Sequence, residues 1–186
     1  DWSWSRGLGD VYKRQLSGSS YQQLVAGRLA GRPPIVDLSL ERAVQALLRQ
    51  AIAEGLLASS HDSSDGGLAV ALAECCITSG LGAELSVQDQ PSRLDRALFG
   101  EGGARVVVSV KSEQMEGWQC LIQRHPDVPL QALGRVVDQP SLCFDLAGQR
   151  VLNRTIQDLQ TVHEEALPRR LSLSLIHISE PTRPTP

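Results

Sequence analysis

The stretch Ser60–Leu68 carries the residue types best suited to chemistry in this chain: Ser-His-Asp-Ser-Ser-Asp, then two glycines and a leucine. The apolar run that follows predicts a helix buried on most sides. A helix start presents unpaired N–H groups and about half a positive charge, so it attracts anions. Because Gly66 and Gly67 let a phosphate approach the backbone, the pattern predicts a phosphate or nucleotide contact. The alternative is structural: Ser64 or Asp65 caps the helix and the glycines only make the turn.

His61 stands beside Asp62, a pair that suggests general-base chemistry. Adjacent residues of a chain rarely reach the same site, however, and no nucleophile accompanies them. The alternative is a hydrogen-bonded structural histidine. His125 and His163 are isolated, and nothing has the spacing of zinc ligands, so we predict neither a catalytic residue nor a metal site in this segment.

A second glycine-rich stretch, Leu98–Arg105, precedes a run of valines. Its three glycines predict a flexible loop. Glu101 and Arg105 either contact a ligand or form a local ion pair with each other. The glycines lack the Gly-Lys-Ser/Thr ending of a P-loop, and no dinucleotide-binding fingerprint is present.

The elements that position these loops follow from apolar periodicity and from capping residues. The pattern predicts five helices. The first begins at Ser19 or Ser20 and ends at Gly31, with Tyr21, Leu24, Val25 and Leu29 on one side, and the second runs from Asp37 or Ser39 to Gly55. The other three are predicted over 68–79, over Ser112–Arg124, and over Thr155–Ala166 before Pro168. It also predicts strands at Ala83–Val87, Arg105–Val110, Leu133–Val137, Leu142–Leu146 and Arg150–Asn153, the last two joined in a hairpin at Gly148. We therefore predict an α+β domain whose mixed β-sheet is covered by helices.

Composition narrows the classes of function. The chain has 186 residues, 18 Lys plus Arg against 21 Asp plus Glu, and 4% aromatic residues, which argues against nucleic-acid binding. No apolar stretch approaches the roughly 20 residues that span a bilayer, so we expect no membrane partner. The four cysteines show no disulfide framework, which predicts reduced, buried thiols in a cytoplasmic protein.

Both ends of the chain differ in character from the rest. Residues 1–15 and 172–186 look like translated sequencing-adapter read-through, and we expect them to be non-native tails without meaningful packing. The native domain is then residues 16–171.

Six segments of residues 16–171 resemble the last domain of the phosphoribosylformylglycinamidine synthase family. They are Leu16–Tyr21, Gly31–Pro34, Val36–Leu38, Ser60–Glu74, Leu98–Glu101 and Arg105–Val110. The histidine–aspartate run is shared by the wider aminoimidazole ribonucleotide synthetase superfamily. The entry segment and the long Gly-Gly-Leu-Ala-Val-Ala-Leu-Ala run favour the synthase, and the fold expected from the resemblance is that superfamily's C-terminal domain, in α/β/α layers.

The resemblance implies an ATP-dependent amidoligase of de novo purine biosynthesis. It converts formylglycinamide ribonucleotide and glutamine-derived ammonia to formylglycinamidine ribonucleotide, through activation of the amide oxygen as an iminophosphate. ATP and Mg²⁺ are bound mainly by upstream domains of the same chain. Those domains, a glutaminase and a small accessory subunit are the implied partners.

The resemblance also implies what this segment contributes. We expect no turnover from the isolated segment, because the family's catalytic histidine and most of its ATP contacts lie upstream. The segment forms one wall of a ligand cleft, with Gly66 and Gly67 facing a phosphate and His61, Asp62 and Asp65 beside them.

Two alternatives remain at this point. One is the C-terminal domain of another superfamily member, namely aminoimidazole ribonucleotide synthetase, selenophosphate synthetase or thiamine-phosphate kinase. The other is a non-catalytic scaffold or interaction domain, in which the loop before the buried helix is only a cap and turn.

Overall fold

The computed structural model describes residues 2–6, 16–87 and 94–175. The helices are α1 (Ser20–Ala26), α2 (Leu38–Ala53), α3 (Gly67–Ser79), α4 (Leu94–Phe99), α5 (Met115–Gln123) and α6 (Ile156–Leu175), with a 3₁₀ turn at Ser112–Gln114. The strands are β1 (Trp2–Arg6), β2 (Ser59–Asp62), β3 (Gly82–Val87), β4 (Val106–Lys111), β5 (Gln131–Val137), β6 (Ser141–Leu146) and β7 (Gln149–Thr155).

The strands described form one mixed sheet in the order β2-β4-β1-β5-β3-β6-β7. β3 runs parallel to β6, and every other neighbouring pair is antiparallel. β6 and β7 form the predicted hairpin, with Ala147 and Gly148 at positive φ in its turn. The polar sequence of residues 88–93 predicts a loop, and this segment lies outside the described residues.

Helices cover both faces of the sheet and create two hydrophobic cores. One face packs against α3, α4 and α6, and the other packs against α2 and α5. β4 contributes to both cores because its side chains alternate: Val107 lies in the first core, and Val108 and Val110 lie in the second. The α+β fold with helices on both faces of a mixed sheet, in α/β/α layers, is confirmed.

Helices α2, α3 and α5 begin and end close to their predicted bounds. Asp37 caps α2 by accepting hydrogen bonds from the amides of Ser39 and Leu40, each 3.0 Å long. The apolar side of this helix faces the second core, where Leu47 is 1% exposed. In α5, Trp118 is buried in the same core.

Four local predictions were wrong or incomplete. α1 ends at Ala26 with Gly27 in the left-handed conformation, so it stops before Gly31. Residues 59–62, where no strand was predicted, form β2, and the helix α4 was not predicted either. α6 continues through Pro168, which an exposed helix accommodates because the freed carbonyl remains in contact with water.

β1 lies within the stretch 1–15 that the sequence marks as a tail. Its five residues occupy the place between β4 and β5 and pair antiparallel with both, for example Trp4 with Ser109 on one side and with Gly134 on the other. The structure thus gives part of this stretch a position in the sheet, against the expectation that it lies unpacked. Its foreign origin stays a prediction.

Cysteine burial is only partly as expected. All four thiols are free; Cys76 is buried and Cys75 and Cys143 are half-buried, but Cys120 is exposed on α5. None of the helices in the described part of the chain combines the length and apolar character needed to cross a membrane.

Candidate anion-binding site

The candidate site is the connection from β2 to α3. β2 is an edge strand held by β4, with Asp62 opposite Val106. The pairing continues one residue further, since the Ser63 amide donates to the Arg105 carbonyl over 2.8 Å. The connection therefore leaves the sheet at a fixed point beside the second glycine-rich stretch.

The start of α3 has no side-chain cap. Gly66 is the capping residue, in the left-handed conformation with φ 76°, and Gly67 also has a positive φ of 67°. Ser64 donates its hydroxyl to the Asp62 carboxylate instead of accepting from the helix. The alternative in which Ser64 or Asp65 caps α3 is therefore wrong, and the first-turn amides of Leu68 and Ala69 have no side-chain acceptor at the cap.

Both glycines are required by local packing. A Cβ on Gly66 would lie 2.4 Å from Val70 Cγ2, and one on Gly67 would lie 2.7 Å from the Gly100 carbonyl oxygen. Gly67 is buried against the backbone at the end of α4. The glycine turn is thus explained by conformation and close approach, independently of any ligand.

Glu101 ties the site to the start of α1. Its Oε1 accepts the Gly66 amide over 2.8 Å and the Ser20 amide over 2.9 Å. Beside it, the rings of Tyr21 and Phe99 stack with centroids 4.7 Å apart. The amide of Gly66 is therefore already paired with a carboxylate, which leaves the next amides of α3 as the donors for an external anion.

The predicted pairing of Glu101 with Arg105 is absent: Glu101 binds the two amides, and Arg105 Nη1 donates to the Gly100 carbonyl. Arg105 is 7% exposed, so its side chain supports the loop from inside. Neither residue presents its charge to an open cleft in this structure.

Ser63 is a site residue that the sequence did not single out. It is 4% exposed, and its Oγ has no hydrogen-bond partner among the described residues. A buried hydroxyl without a partner is uncommon because it loses its hydration without compensation. One serine among four in Ser59–Ser64 gives no sequence signal that would mark it.

Asp65 is exposed, and no hydrogen bond or ion pair joins it to another described residue. The hydrogen bond from Ser64 lowers the pKa of the Asp62 carboxyl below its ordinary value of 3.8, and the nearby His61 lowers it further. Two carboxylates, one held by a hydroxyl and one without a partner, therefore flank the turn.

The His61 side chain contacts its own strand and the neighbouring helix α3. Its Nδ1 lies 2.7 Å from the Asp62 carbonyl oxygen, and its Nε2 lies 3.3 Å from Glu74 Oε2 on α3. These contacts fit the structural alternative, since the ring joins β2 to α3. No group of three or more His, Cys, Asp or Glu side chains within 16–87 and 94–175 is arranged to hold a metal ion.

A cavity of about 280 Å³ lies towards the other end of α3 and shares only His61 with the predicted site. Its walls include Ser59, His61, Cys75 and Ser109, and Ser59 and Ser109 share a hydrogen bond across it. Burial raises the pKa of the Cys75 thiol to about 11, with Glu74 adding to the rise. This thiol is therefore protonated, and a poor nucleophile, at neutral pH.

Comparison with known proteins decides the family. A family model described as "AIR synthase related protein, C-terminal domain" matches residues 7–145. The chain belongs to this family. The resemblance drawn from the Ser60–Glu74 run is confirmed at that level.

Curated relatives of this AIR synthase related domain are also similar in sequence. The phosphoribosylformylglycinamidine synthase subunit PurL of Synechococcus sp. (strain CC9902) is 51% identical over 157 residues, which is 84% of this chain and 20% of that protein. The same subunit of Parasynechococcus marenigrum (strain WH8102) is 55% identical over 156 residues. The chain thus spans about one fifth of the length of these relatives, with matches over most of the expected native segment.

Solved structures support the same fold. "T. maritima PurL complexed with FGAR" superposes with a TM-score of 0.67 at 19% identity, covering 84% of this chain and 27% of that one. The hydrogenase maturation protein HypE of E. coli superposes with a TM-score of 0.54 at 17% identity. At these identities the likeness shows the AIR synthase related fold alone, so it does not choose among the activities that the fold carries.

Proposed function

We propose that this chain is the C-terminal part of a phosphoribosylformylglycinamidine synthase, the ATP-dependent amidoligase that makes formylglycinamidine ribonucleotide. The observation that carries the proposal is the 51–55% identity to PurL subunits over 84% of the chain. Glutamine-derived ammonia is the nitrogen donor, supplied by a glutaminase with a small accessory subunit, and the parent works in the cytoplasm. The isolated segment has no turnover.

Within the parent, the turn from Ser63 to Gly67 is one wall of the ligand cleft. Two features support this role: the uncapped start of α3 and the buried Ser63 hydroxyl without a partner. The amides of Leu68 and Ala69 and the helix dipole attract a phosphate of substrate or nucleotide. Gly66 and Gly67 shape the turn, and His61 and Asp62 hold its first residues at the end of β2.

ATP and Mg²⁺ are bound mainly by the rest of the parent. The described residues offer no cluster of metal ligands, so no step of the reaction is assigned to Mg²⁺ on this segment. The contribution of this chain is binding and orientation: positive potential from the helix start and an open carboxylate at Asp65 that accepts hydrogen bonds from ligand hydroxyls.

A chimera tests the proposal. Residues 16–171 replace the corresponding segment of the Synechococcus relative, and ATP-dependent amidine formation is assayed with ammonia as nitrogen donor, which removes the need for a glutaminase. We expect activity in the chimera and none in the same protein without the segment. A folded chimera that does not turn over would contradict the synthase assignment and favour another member of the superfamily.

Asp65→Ala in that chimera tests the cleft wall. Because Asp65 has no partner among the described residues, its loss leaves folding unchanged, and we expect the KM for nucleotide or ribonucleotide to rise about tenfold, the worth of one hydrogen bond to a charged group. Asp127→Ala, which removes another exposed aspartate far along the chain, is the control. Unchanged kinetic constants in Asp65→Ala would contradict the assignment of this turn to the wall of the ligand cleft.

A scaffold role is the second candidate, because packing and Glu101 explain both glycines without a ligand. In that case substitutions in the turn alter stability or subunit association and spare ligand affinity. The Asp65→Ala kinetics therefore separate the two candidates.

A further inference from the structure

Arg105 is the only buried charged side chain in the part of the chain that the structure describes. It is 7% exposed, and its Nη1 donates to the Gly100 carbonyl oxygen over 2.5 Å. A guanidinium stays charged at neutral pH, and its removal from water carries a large cost in free energy. The residues around Arg105 show what this buried charge contributes to the candidate site.

Arg105 fixes both sides of the turn before α3. Its backbone carbonyl accepts the Ser63 amide over 2.8 Å, at the point where the chain leaves β2. Its side chain holds Gly100, whose carbonyl oxygen would lie 2.7 Å from a Cβ added to Gly67. One residue therefore sets the position of the entry to the turn and of the backbone against which the turn packs.

The end of α4 brings carbonyl oxygens to the start of α3. The Gly100 amide closes α4 by donating to the Arg96 carbonyl over 3.0 Å. The Leu98 and Gly100 carbonyl oxygens both lie within 3.0 Å of the position of a Cβ on Gly67. Partial negative charge thus meets the positive start of α3, which weakens its attraction for an anion.

Three carboxylates surround the same turn. Glu101 accepts the Gly66 amide over 2.8 Å, and Asp62 and Asp65 flank the turn on its exposed side. A buried charge is screened by solvent and salt much less than an exposed one, so the guanidinium of Arg105 acts strongly on its neighbours. Its charge opposes that of the carboxylates and carbonyl oxygens around the turn.

We propose that Arg105 is the positioning residue of the candidate anion-binding turn. It acts without touching the ligand. Through Gly100 it holds the backbone against which Gly67 packs, and its charge preserves the positive potential with which the first-turn amides of α3 attract a phosphate. This inference rests on the proposed function, because the phosphate is that of the ligand in the proposed cleft.

Arg105→Gln in the full-length chimera removes the charge and keeps a donor for the Gly100 carbonyl. We expect the KM for the nucleotide or ribonucleotide to rise about tenfold and kcat to change less than about twofold, because the lost interaction favours the bound substrate and the transition state equally. Arg105→Lys keeps the charge and should bring the KM to within about threefold of that of the unmodified chimera.

Two controls separate this effect from a loss of stability and from the loss of any arginine. Leu121→Ala creates a cavity in the second core, on the other face of the sheet, and should lower stability without raising the KM. Arg135→Gln removes an exposed arginine that pairs with Glu84, and should leave both kinetic constants unchanged. An equal rise of the KM in Leu121→Ala and Arg105→Gln overturns the proposal.

Hydrogen exchange in the same chimera provides a measurement that needs no turnover. Added inorganic phosphate should slow exchange in the peptide that contains Gly66 and Leu68. Arg105→Gln should require about tenfold more phosphate for the same protection, and Arg105→Lys should respond nearly as the unmodified chimera does. Arg105→Met, of similar length and without charge, takes the place of Arg105→Gln where that variant does not fold.

The two measurements distinguish failure of the inference from failure of the proposed function. An active chimera whose KM and phosphate response are unchanged in Arg105→Gln refutes the role of Arg105 alone. An inactive chimera whose phosphate response depends on the charge at this position refutes only the proposed activity. A peptide that phosphate never protects refutes the anion-binding turn, and the role of Arg105 with it.

Discussion

The two ends of α3 use the same backbone conformation in opposite surroundings. Gly67 at the first turn and Gly80 after the last both have φ near +70°. At Gly67 an added Cβ meets backbone atoms from 2.7 Å, whereas nothing lies within 4 Å of one at Gly80. The C-terminal end is a routine helix stop that uses glycine for its conformation. The N-terminal end is assembled from three distant segments, α3, Glu101 and the start of α1, so its glycine is also fixed by close packing.

Substitution of each glycine by alanine should give the largest difference in stability between the two ends of α3. Gly67→Ala adds a backbone collision to the cost of the left-handed conformation, and we expect it to lower the free energy of unfolding by about 3–5 kcal/mol. Gly80→Ala carries only the conformational cost, about 1 kcal/mol. Urea unfolding followed by circular dichroism measures both. Equal losses in the free energy of unfolding would mean that the backbone around Gly67 shifts to accommodate the added Cβ without an energetic cost.

Glu101 gives the next largest effect. Glu101→Ala leaves the amides of Ser20 and Gly66 without their acceptor, and we expect a loss of about 1–3 kcal/mol in the free energy of unfolding. Glu101→Gln keeps an oxygen acceptor and should lose less than half as much in the same urea titration. Identical losses for the two variants would show that the charge of Glu101, and not its hydrogen bonding, stabilises the N-terminal end of α3.

The smallest effect concerns pH. The Ser64 hydrogen bond holds the pKa of Asp62 below its value in the unfolded chain, so its contribution to stability is present above about pH 4 and is lost as the pH falls through the folded pKa. Ser64→Ala should raise that pKa and flatten the stability profile below about pH 5 by about a few tenths of a kcal/mol, since Asp62 is largely exposed.

Ser79→Ala is the matched control for this pH effect at the opposite end of α3. The Ser79 hydroxyl donates to the Cys75 carbonyl, a group that does not titrate. Its loss should therefore shift the whole stability curve without changing its shape. A change of shape in Ser79→Ala would argue against the assignment of the pH effect to Asp62.

Periodicity predicted the core elements, because α2 and α5 bury one regular stripe and the side chains of β4 and β6 alternate between the two faces of the sheet. It missed β2, whose sequence is entirely polar and whose strand conformation depends on pairing with β4 some 50 residues away. The candidate turn was located correctly in the sequence, but its construction was not predictable. Glu101 reaches Gly66 across 35 residues and Ser20 across 81, and no local pattern encodes such contacts.

The alternation of β4 has a consequence for how the domain unfolds and how it can be cut. One six-residue strand supplies Val107 to one core and Val108 and Val110 to the other. The helices on both faces therefore lose packing contacts with the sheet when this strand leaves it. Native-state hydrogen exchange should find the amides of β4 opening only with global unfolding. A split of the chain into two complementing halves should therefore succeed in the hairpin turn at Ala147–Gly148 and fail anywhere within 106–111.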